Sequence, residues 1–431
     1  MNFETLSPQE QVATLTRRIY ERGITTASGG NLSIRDENGD TWVTPARMDK
    51  GKLQAADVVC VKANGEIIGK YSPSTELPFH RAIYEKRADI HAVAHAHCPS
   101  LVAYSIVRKI PLTRAIAQVH QLCGDVGYAP YAVTQSEELG RKIASSFGQG
   151  CNVVLMENHG VVSGGPDLLT AYQRLETLEL CAQISLRASG LGPISVLDER
   201  QLQKFEKIQN HLPEFEPREQ SGKELALREE ICRMVRRGYD QRLMSSTQGI
   251  LSARLDENSF LITPYGMDRN YLEVNQIVLI QNGFREAGKL PSQSVRLHER
   301  IYADHPKINS IISAQIPNAM AYSITGHEFE YKTIAESYIT LKTISFAPFE
   351  WQVDAPEKVS ALLAGNTPIV LIRNDTILTA GTTLLAAFDR LEVAEFSARA
   401  LLDSMSIGEL VPLNEKQVGE LEGIYFPEMT I

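Results

Sequence analysis

The 431-residue sequence has few cysteines, no excess of basic charge and no long apolar run. Its six cysteines lack paired spacing, which argues against a disulfide framework and favours reduced thiols in the cytoplasm. A net charge of −9 argues against a nucleic-acid partner. No apolar stretch approaches the ~20 residues that span a bilayer, and the sequence does not open with a basic-then-apolar targeting pattern. We therefore expect a cytoplasmic protein without nucleic-acid or membrane partners.

The main feature of the sequence is an internal repeat. Residues 28–35 (SGGNLSIR) correspond to residues 247–254 (TQGILSAR), and residues 43–50 (VTPARMDK) correspond to residues 262–269 (ITPYGMDR). The offset stays between 216 and 219, so few insertions separate the copies. This period is too long for a solenoid and indicates a tandem duplication of one domain.

The repeat predicts two domains, over residues 1–212 and 219–431. Each copy mixes short strand patterns with helix patterns, which predicts an α/β fold whose mostly antiparallel sheet is covered by helices. Ser7 opens a capping box that predicts a helix ending near Gly23. Ser74 or Thr75 is predicted to cap a second helix.

Three histidines of the first copy have the spacing of metal ligands. His95 and His97 alternate along a predicted strand, so their side chains share one face, and His159 lies in a turn between two further strands. Three protein ligands with one open position are typical of catalytic zinc, although imidazole also suits Mn, Co and Fe. Chance would not explain why the second copy loses these ligands together, with Ser313, Gln315 and Asp375 in their places.

Glu76 is the predicted catalytic residue and a further candidate metal ligand. It precedes His95 by nineteen residues and lies at the start of a predicted helix. A carboxylate beside a divalent ion ligates it or moves a proton. The alternative is a first-turn glutamate favoured only by the helix dipole, which is worth ~0.3–1 kcal/mol. Its counterpart Ser294 cannot act in either way, so we place Glu76 with the histidines.

Two segments are candidate anion sites. The Gly29–Gly30 pair before Asn31 lets backbone N–H groups approach an anion, and Ser74 and Thr75 offer hydroxyls at a helix N-terminus. Gly-Gly is also a common turn, so the motif is weak by itself. In the second copy, Gln248 and Ile250 replace two residues of the Gly29–Gly30–Asn31 segment, which confines the predicted anion site to the first copy.

Taken together, the motifs resemble the class II aldolase/adducin family. They are SGGNLSxR, VTP, DKG, PSTE followed by His80, HAH, APY and NHG, in family order along about residues 8–190. Residues 224–405 resemble the family without the site. The family includes fuculose- and ribulose-phosphate aldolases and epimerases, a dehydratase, decarboxylases and non-catalytic adducin heads.

The resemblance implies two tandem α/β/α sandwich domains, the second a pseudo-enzyme. It implies a divalent metal, usually zinc, on the three histidines, with Glu76 as acid/base. It also implies a phosphate site, formed by Gly30, Asn31, Thr44, Ser74 and Thr75. The implied reaction is aldol cleavage or condensation of a small hydroxy-ketone or sugar phosphate, or of a hydroxy-keto acid, through a metal-stabilised enediolate.

Two departures from the family pattern leave the substrate open. Arg47 replaces the usual glycine of a Thr-Pro-x-Gly turn; it has the geometry to bind a carboxylate or phosphate and is equally consistent with a solvated surface arginine. Residues 115–121 lack the catalytic tyrosine of fuculose aldolase-like enzymes, and Gln118 or His120 is the candidate replacement.

Alternatives to aldol chemistry are a ketose-phosphate dehydratase or a decarboxylase on the same metal site, and an adducin-like scaffold without activity. The family usually forms rings of four with sites completed across subunit contacts. A duplicated chain is therefore predicted to form a homodimer that makes a pseudo-tetrameric ring.

Overall fold

The computed structural model describes residues 3–208, 211–217, 219–364 and 367–426. It contains two compact units, the first made of Met1–Arg114 with Gln118–Leu186, and the second of Ala115–Ala117 with Arg187–Ile431. Residues 187–212 thus group with the second unit, whereas the repeat suggested a boundary at 212. The sequence boundaries 1–212 and 219–431 stay a prediction. Over the described ranges, no helix has the length and apolar content to cross a membrane.

The first copy contains eight strands and six helices among the described residues. The strands are β1 (Asn31–Arg35), β2 (Thr41–Val43), β3 (Val59–Val61), β4 (Ile67–Ile68), β5 (Ala92–Ala96), β6 (Gly127–Ala129), β7 (Val153–Met156) and β8 (Gly160–Gly165). The helices are α1 (Pro8–Glu21), α2 (Leu77–Lys86), α3 (Pro99–Ile106), α4 (Ala117–Cys123), α5 (Glu137–Gly148) and α6 (Leu168–Ala188).

The second unit repeats this order from α8 onward and has extra short elements. Its strands are β9 (Glu214–Phe215), β10 (Ile250–Arg254), β11 (Ser259–Ile262), β12 (Val278–Gln281), β13 (Phe284–Glu286), β14 (Ser310–Ala314), β15 (Ile344–Ala347), β16 (Ile369–Ile372) and β17 (Thr376–Gly381). Its helices are α7 (Glu199–Glu206), α8 (Gly222–Asp240), α9 (Val295–Asp304), α10 (Pro317–Thr325), α11 (Ala335–Leu341), α12 (Trp351–Asp354), α13 (Pro356–Ala361), α14 (Leu384–Ser404) and α15 (Glu415–Tyr425).

Both sheets are mostly antiparallel, which confirms the predicted fold class. The first has the order β4-β3-β2-β1-β5-β8-β7-β6, with only β6 and β7 parallel. The second has the order β15-β16-β17-β14-β10-β11-β12-β13-β9, with parallel pairs at its two ends. Strand β5 therefore lies inside the first sheet, between β1 and β8, and β14 has the same place in the second.

Helices cover both faces of each sheet. In the first unit, α2 and α5 pack on the face that carries Val93 and Val162. On the opposite face, Ser163 of β8 donates a 2.7 Å hydrogen bond to the carbonyl of Ala171 in α6. The second unit repeats this contact, because Thr379 of β17 donates to the carbonyl of Ala387 in α14 at 2.9 Å. The predicted α/β/α sandwich is thereby confirmed.

The helix ends match the sequence prediction at α1 and differ at α2. Ser7 and Glu10 form the predicted capping box, and Gly23 follows the helix with a φ of 68°. Helix α2 begins only at Leu77, and its N-cap residue is Glu76, without a side-chain cap bond. Ser74 instead accepts the N–H of Glu76 at 3.3 Å. The predicted cap was wrong by one or two residues, and this places Glu76 at the helix entrance.

The same buried trio joins helix to strand in both units. Ser33 of β1 contacts His80 Nδ1 at 2.7 Å and the Tyr84 hydroxyl at 2.6 Å. Ser252 contacts His298 at 2.8 Å and Tyr302 at 2.7 Å in the second unit. Because the duplicated domain keeps the trio where it has lost the metal ligands, this feature belongs to the fold.

We expect the two buried histidines to make stability fall in acid. Burial lowers the pKa of His80 and of His298 to about 3, from 6.5. Both rings are neutral in the folded chain, whereas an unfolded chain takes up protons as pH falls through 6.5. Their stabilisation is complete above pH 6.5 and is lost between pH 6.5 and about 3, by several kcal/mol.

Urea unfolding across that pH range measures the effect. His298→Gln should flatten part of the dependence, and His327→Gln, which changes an exposed ring, should leave it unaltered. Equal slopes in the two variants would show that buried His298 does not contribute.

Candidate metal centre

Three histidines from neighbouring strands converge in the first unit. His95 lies on β5, His97 directly follows that strand, and His159 directly precedes β8, which pairs with β5. Asn158 turns the chain into β8 with a φ of 53°. The ligand atoms of the three rings all lie within 4.8 Å of one another. The structure thus brings together the three predicted metal ligands.

Hydrogen bonds fix which nitrogen of His95 faces the cluster. Its Nδ1 lies 2.9 Å from the carbonyl oxygen of Val161, which can only accept, so Nδ1 carries the proton. Its Nε2 therefore keeps a lone pair and is buried without a partner, as is Nε2 of His97. Metal-bound histidines are typically held in this way by an outer acceptor.

Burial favours the neutral form of the three rings. It lowers the pKa of His95 well below 6.5, and the charges of His159 and His97 would lower it further. The pKa values of His97 and His159 are also lowered, in each case mainly by burial. Neutral imidazole is the form that binds a metal, so the rings are prepared for one.

Glu76 closes the cluster from α2. Its Oε2 lies 3.4 Å from Nε2 of His95, and its Oε1 lies 3.5 Å from Nε2 of His159. We do not interpret these distances as ion pairs, because burial lowers the pKa of both rings and so disfavours their charged forms. They match the separation of about 3.4 Å between two ligands of a tetrahedral zinc ion with bonds near 2.1 Å. Three imidazoles whose neutral form is favoured, together with a carboxylate at this spacing, fit a divalent metal.

A chain of hydrogen bonds orients Glu76. Asn31 donates from Nδ2 to Glu76 Oε2 at 2.7 Å, so its Oδ1 accepts from Nε2 of His80 at 2.5 Å. His80 Nδ1 must then accept from the Ser33 hydroxyl, which in turn accepts from Tyr84. The fold trio is thereby extended to the carboxylate. Sequence reasoning assigned no role to His80 and placed Asn31 only with phosphate.

Two glycines leave room for the ligands. A Cβ on Gly29 would lie 2.9 Å from Nδ1 of His97. Gly30 has a φ of 73°, and a Cβ there would lie 2.4 Å from the carbonyl oxygen of His95. Close packing against the histidines accounts for this Gly-Gly pair, independently of any anion.

The predicted anion residues lie along two neighbouring loops. Ser74 donates its backbone N–H to the Thr44 carbonyl at 3.0 Å, and Thr44 accepts the N–H of Leu32 on its hydroxyl. Thr44 and Ser74 are buried, whereas Thr75 is exposed. The loops bring these groups near Gly30 and Asn31, but the Asn31 amide is already engaged by Glu76 and His80. Phosphate binding by this set stays a prediction.

Arg47 has an unusual backbone. Its φ is 56°, in the left-handed region, and the equivalent Gly266 of the second unit has a φ of 71°. A side chain costs roughly 1 kcal/mol or more there. The Arg47 guanidinium is exposed and, among the described residues, has no hydrogen-bond or ion-pair partner. Such strain is often kept where a side chain is used.

The second unit keeps the frame and lacks the ligands. Ser294 precedes α9, Ser313 lies on β14, and Asp375 precedes β17 after Asn374, whose φ of 58° matches that of Asn158. The hydroxyls of Ser294 and Ser313 are buried without partners. Over the described residues, the three histidines of the first unit are the only group of three or more His, Cys, Asp and Glu that could hold a metal.

The segment without the family tyrosine forms α4. His120 Nδ1 lies 3.2 Å from the hydroxyl of Thr113, and among the described residues no hydrogen bond or ring contact joins His120 to the three histidines. A role for His120 or Gln118 in place of the tyrosine stays a prediction.

Comparisons with known proteins show a family match in both halves of the chain. The family model described as "Class II Aldolase and Adducin N-terminal domain" matches residues 10–186 and again residues 229–402, which is most of the chain. The tandem duplication is therefore confirmed.

Individual relatives match one copy. An L-fuculose phosphate aldolase of Methanococcus maripaludis (strain C7) is 33% identical over 168 residues, 39% of this chain and 89% of the relative. A 3-oxo-tetronate 4-phosphate decarboxylase of Haemophilus influenzae is 31% identical over 189 residues, 43% of this chain and 90% of the relative. A solved L-fuculose 1-phosphate aldolase has 30% identity and a TM-score of 0.43, covering 46% of this chain and 92% of its own.

Proposed function

This chain belongs to the class II aldolase and adducin family, and on that premise we propose that its first domain is a metal-dependent lyase. The proposed reaction is aldol cleavage or condensation of a small hydroxy-ketone or sugar phosphate. The observation that carries the proposal is the convergence of three neutral histidines with Glu76. We propose zinc as the metal, because three nitrogens with a carboxylate suit it.

Each group has a proposed task. His95, His97 and His159 hold the ion, which supplies Lewis-acid polarisation of a substrate oxygen when bound. Glu76 moves the proton at the carbon where the bond breaks or forms, which contributes ~10²–10⁴-fold. Asn31 is a positioning residue that directs Glu76 Oε2 through its 2.7 Å hydrogen bond. The hydroxyls and N–H groups near Gly30, Thr44, Ser74 and Thr75 are the proposed phosphate site.

Product analysis tests this function. The purified chain, supplied with zinc, is incubated with a panel of ketose 1-phosphates, and the products are identified by NMR. Release of an aldehyde and a smaller phosphorylated ketone supports the proposal. A protein that binds no stoichiometric metal and turns over none of the panel is a scaffold, as adducin heads are.

Decarboxylation of a 3-oxo acid phosphate is the second candidate. It is favoured by Arg47, whose exposed and unpartnered guanidinium can bind a carboxylate bidentately. One relative at 31% identity is a decarboxylase of this kind. Release of carbon dioxide instead of an aldehyde would select this reaction, whereas loss of water would select a dehydratase.

The second domain is proposed to serve as a built-in neighbour in a homodimer. Its support is a retained fold without metal ligands, together with large apolar side chains exposed on the first unit, at Ile106, Val107, Tyr131 and Val133. Sedimentation of the whole chain should therefore give two chains per particle. A monomer that is fully active would contradict this assembly.

A further inference from the structure

Lys50 is a buried cation in the first unit with no assigned role. It follows Asp49, whose carboxylate caps the next turn through the N–H of Gly51. Its own N–H donates to the Ala27 carbonyl at 2.9 Å, which joins this turn to the loop before the Gly29–Gly30 pair. The residue is only 3% exposed.

The ammonium group of Lys50 is unpaired. Among the described residues, it has no hydrogen bond or ion pair. Its charge is nevertheless close enough to the metal centre to lower the pKa of His95, and the charge of Glu76 acts on it in turn. A lysine that is almost wholly buried and has no acceptor for its ammonium is costly, because most of its contact with water is lost and no hydrogen bond replaces it.

The second domain shows how the side chain at the same position is hydrogen-bonded where the metal ligands are missing. Arg269 stands in place of Lys50, is 4% exposed, and has the same backbone anchor, donating to the Ser246 carbonyl at 3.1 Å. Its guanidinium donates to three backbone carbonyls, those of Gly249 at 2.6 Å, Pro264 at 3.2 Å and Met267 at 2.8 Å.

The internal comparison shows which backbone carbonyls surround this position. Those three carbonyls correspond to Gly30, Pro45 and Met48 in the first copy. The frame around Lys50 therefore opens onto Gly30, which packs against His95. Among the described residues, the Lys50 side chain bonds none of these three carbonyls, and its charge acts on His95, so the ammonium is not hydrogen-bonded by the backbone as the Arg269 guanidinium is.

We propose that Lys50 is an anion-binding residue of the substrate site, and that its ammonium pairs with a phosphate or carboxylate group of the substrate. The inference rests on the proposed function and deepens it, because it requires an anionic substrate. Both anions present the same charged oxygens to an ammonium. A bound substrate would supply Lys50 with the acceptors that backbone carbonyls of the second domain supply to Arg269.

Calorimetric titration of the whole chain, prepared without metal to exclude coordination of the probe, tests the inference. The probes are inorganic phosphate and malonate. Lys50→Met should weaken binding of at least one probe by about 10- to 100-fold, the value of a hydrogen bond to a charged group. Lys52→Met is the matched control, because Lys52 is exposed on the same turn and should bind as the wild type does.

Lys50→Arg gives a sharper test. The arginine should donate hydrogen bonds to the three carbonyls as Arg269 does. The variant should therefore fold but bind the anion less tightly. Loss with phosphate alone assigns a phosphate group, loss with malonate alone assigns a carboxylate, and loss with both assigns a site shared by the two.

Unchanged binding of both probes by Lys50→Met overturns the inference. If that variant does not fold, unchanged binding of both probes by Lys50→Arg overturns the inference instead. The proposed function would survive this failure, because metal content and metal-dependent turnover are measured separately on the same variants after reconstitution with zinc.

Discussion

Replacing Glu76 by glutamine is expected to lower turnover by about 100-fold or more, because the amide cannot take up the substrate proton. The variant should still hold its metal through His95, His97 and His159, whose nitrogens lie within 4.8 Å of one another. Steady-state rates and elemental analysis of one preparation check both parts. Glu85→Gln, on the exposed side of α2, is the matched control and should leave both values unchanged.

Near wild-type turnover in Glu76→Gln would reduce Glu76 to a residue at a helix entrance. Loss of both metal and activity would show instead that the carboxylate acts chiefly as a metal ligand. Asn31 should matter through the same atom, because its 2.7 Å hydrogen bond holds the carboxylate.

Exchanging two ligands for their counterparts in the second copy is expected to have the largest effect. His95→Ser with His97→Gln should abolish metal binding and lower turnover by at least about 10³-fold, since Lewis-acid stabilisation is worth several kcal/mol. The fold should survive, because Ser313 and Gln315 occupy the same strand positions in the second unit. Circular dichroism and metal content measure the two outcomes.

His91→Ser is the control for that double variant. His91 immediately precedes β5, and its side chain is exposed, so the change should spare both metal and activity. A double variant that keeps its turnover would show that the reaction does not use this centre.

The parts of the structure set by short-range pattern were predictable. The alternation of His95 and His97 placed both rings on one face because side chains alternate along any strand. The repeat predicted two α/β units, because corresponding motifs recur at a nearly constant offset. Both predictions depend on periodicity that is visible within a few residues or between copies.

Features that join distant residues were not predictable in this way. Asn31 and Glu76 are 45 residues apart, and His80 reaches Asn31 across 49, so only the folded sheet brings them together. The close approach of Gly29 to the ring of His97 was not predictable for the same reason, and its anion role stays a prediction. The predicted start of α2 was wrong because the Ser74 hydroxyl accepts the N–H of Glu76 in a turn that precedes the helix, which begins at Leu77.

One signal in the sequence does point to such features. Gly29 and His97 become Gln248 and Gln315 together, and Lys50 becomes Arg269. These positions change along with the metal ligands and lie beside the site, whereas His80 is retained as His298 and belongs to the fold. Comparison of the two copies thus points to site residues that a single copy does not reveal.

Metal content of the purified whole chain is the most direct test of the account. Prepared without chelators, or reconstituted with zinc, the protein should contain about one divalent ion per chain, because only the first unit carries His95, His97 and His159. The double variant His95→Ser with His97→Gln should contain none. Two ions per chain, or none after reconstitution, would contradict a single metal centre in the first domain.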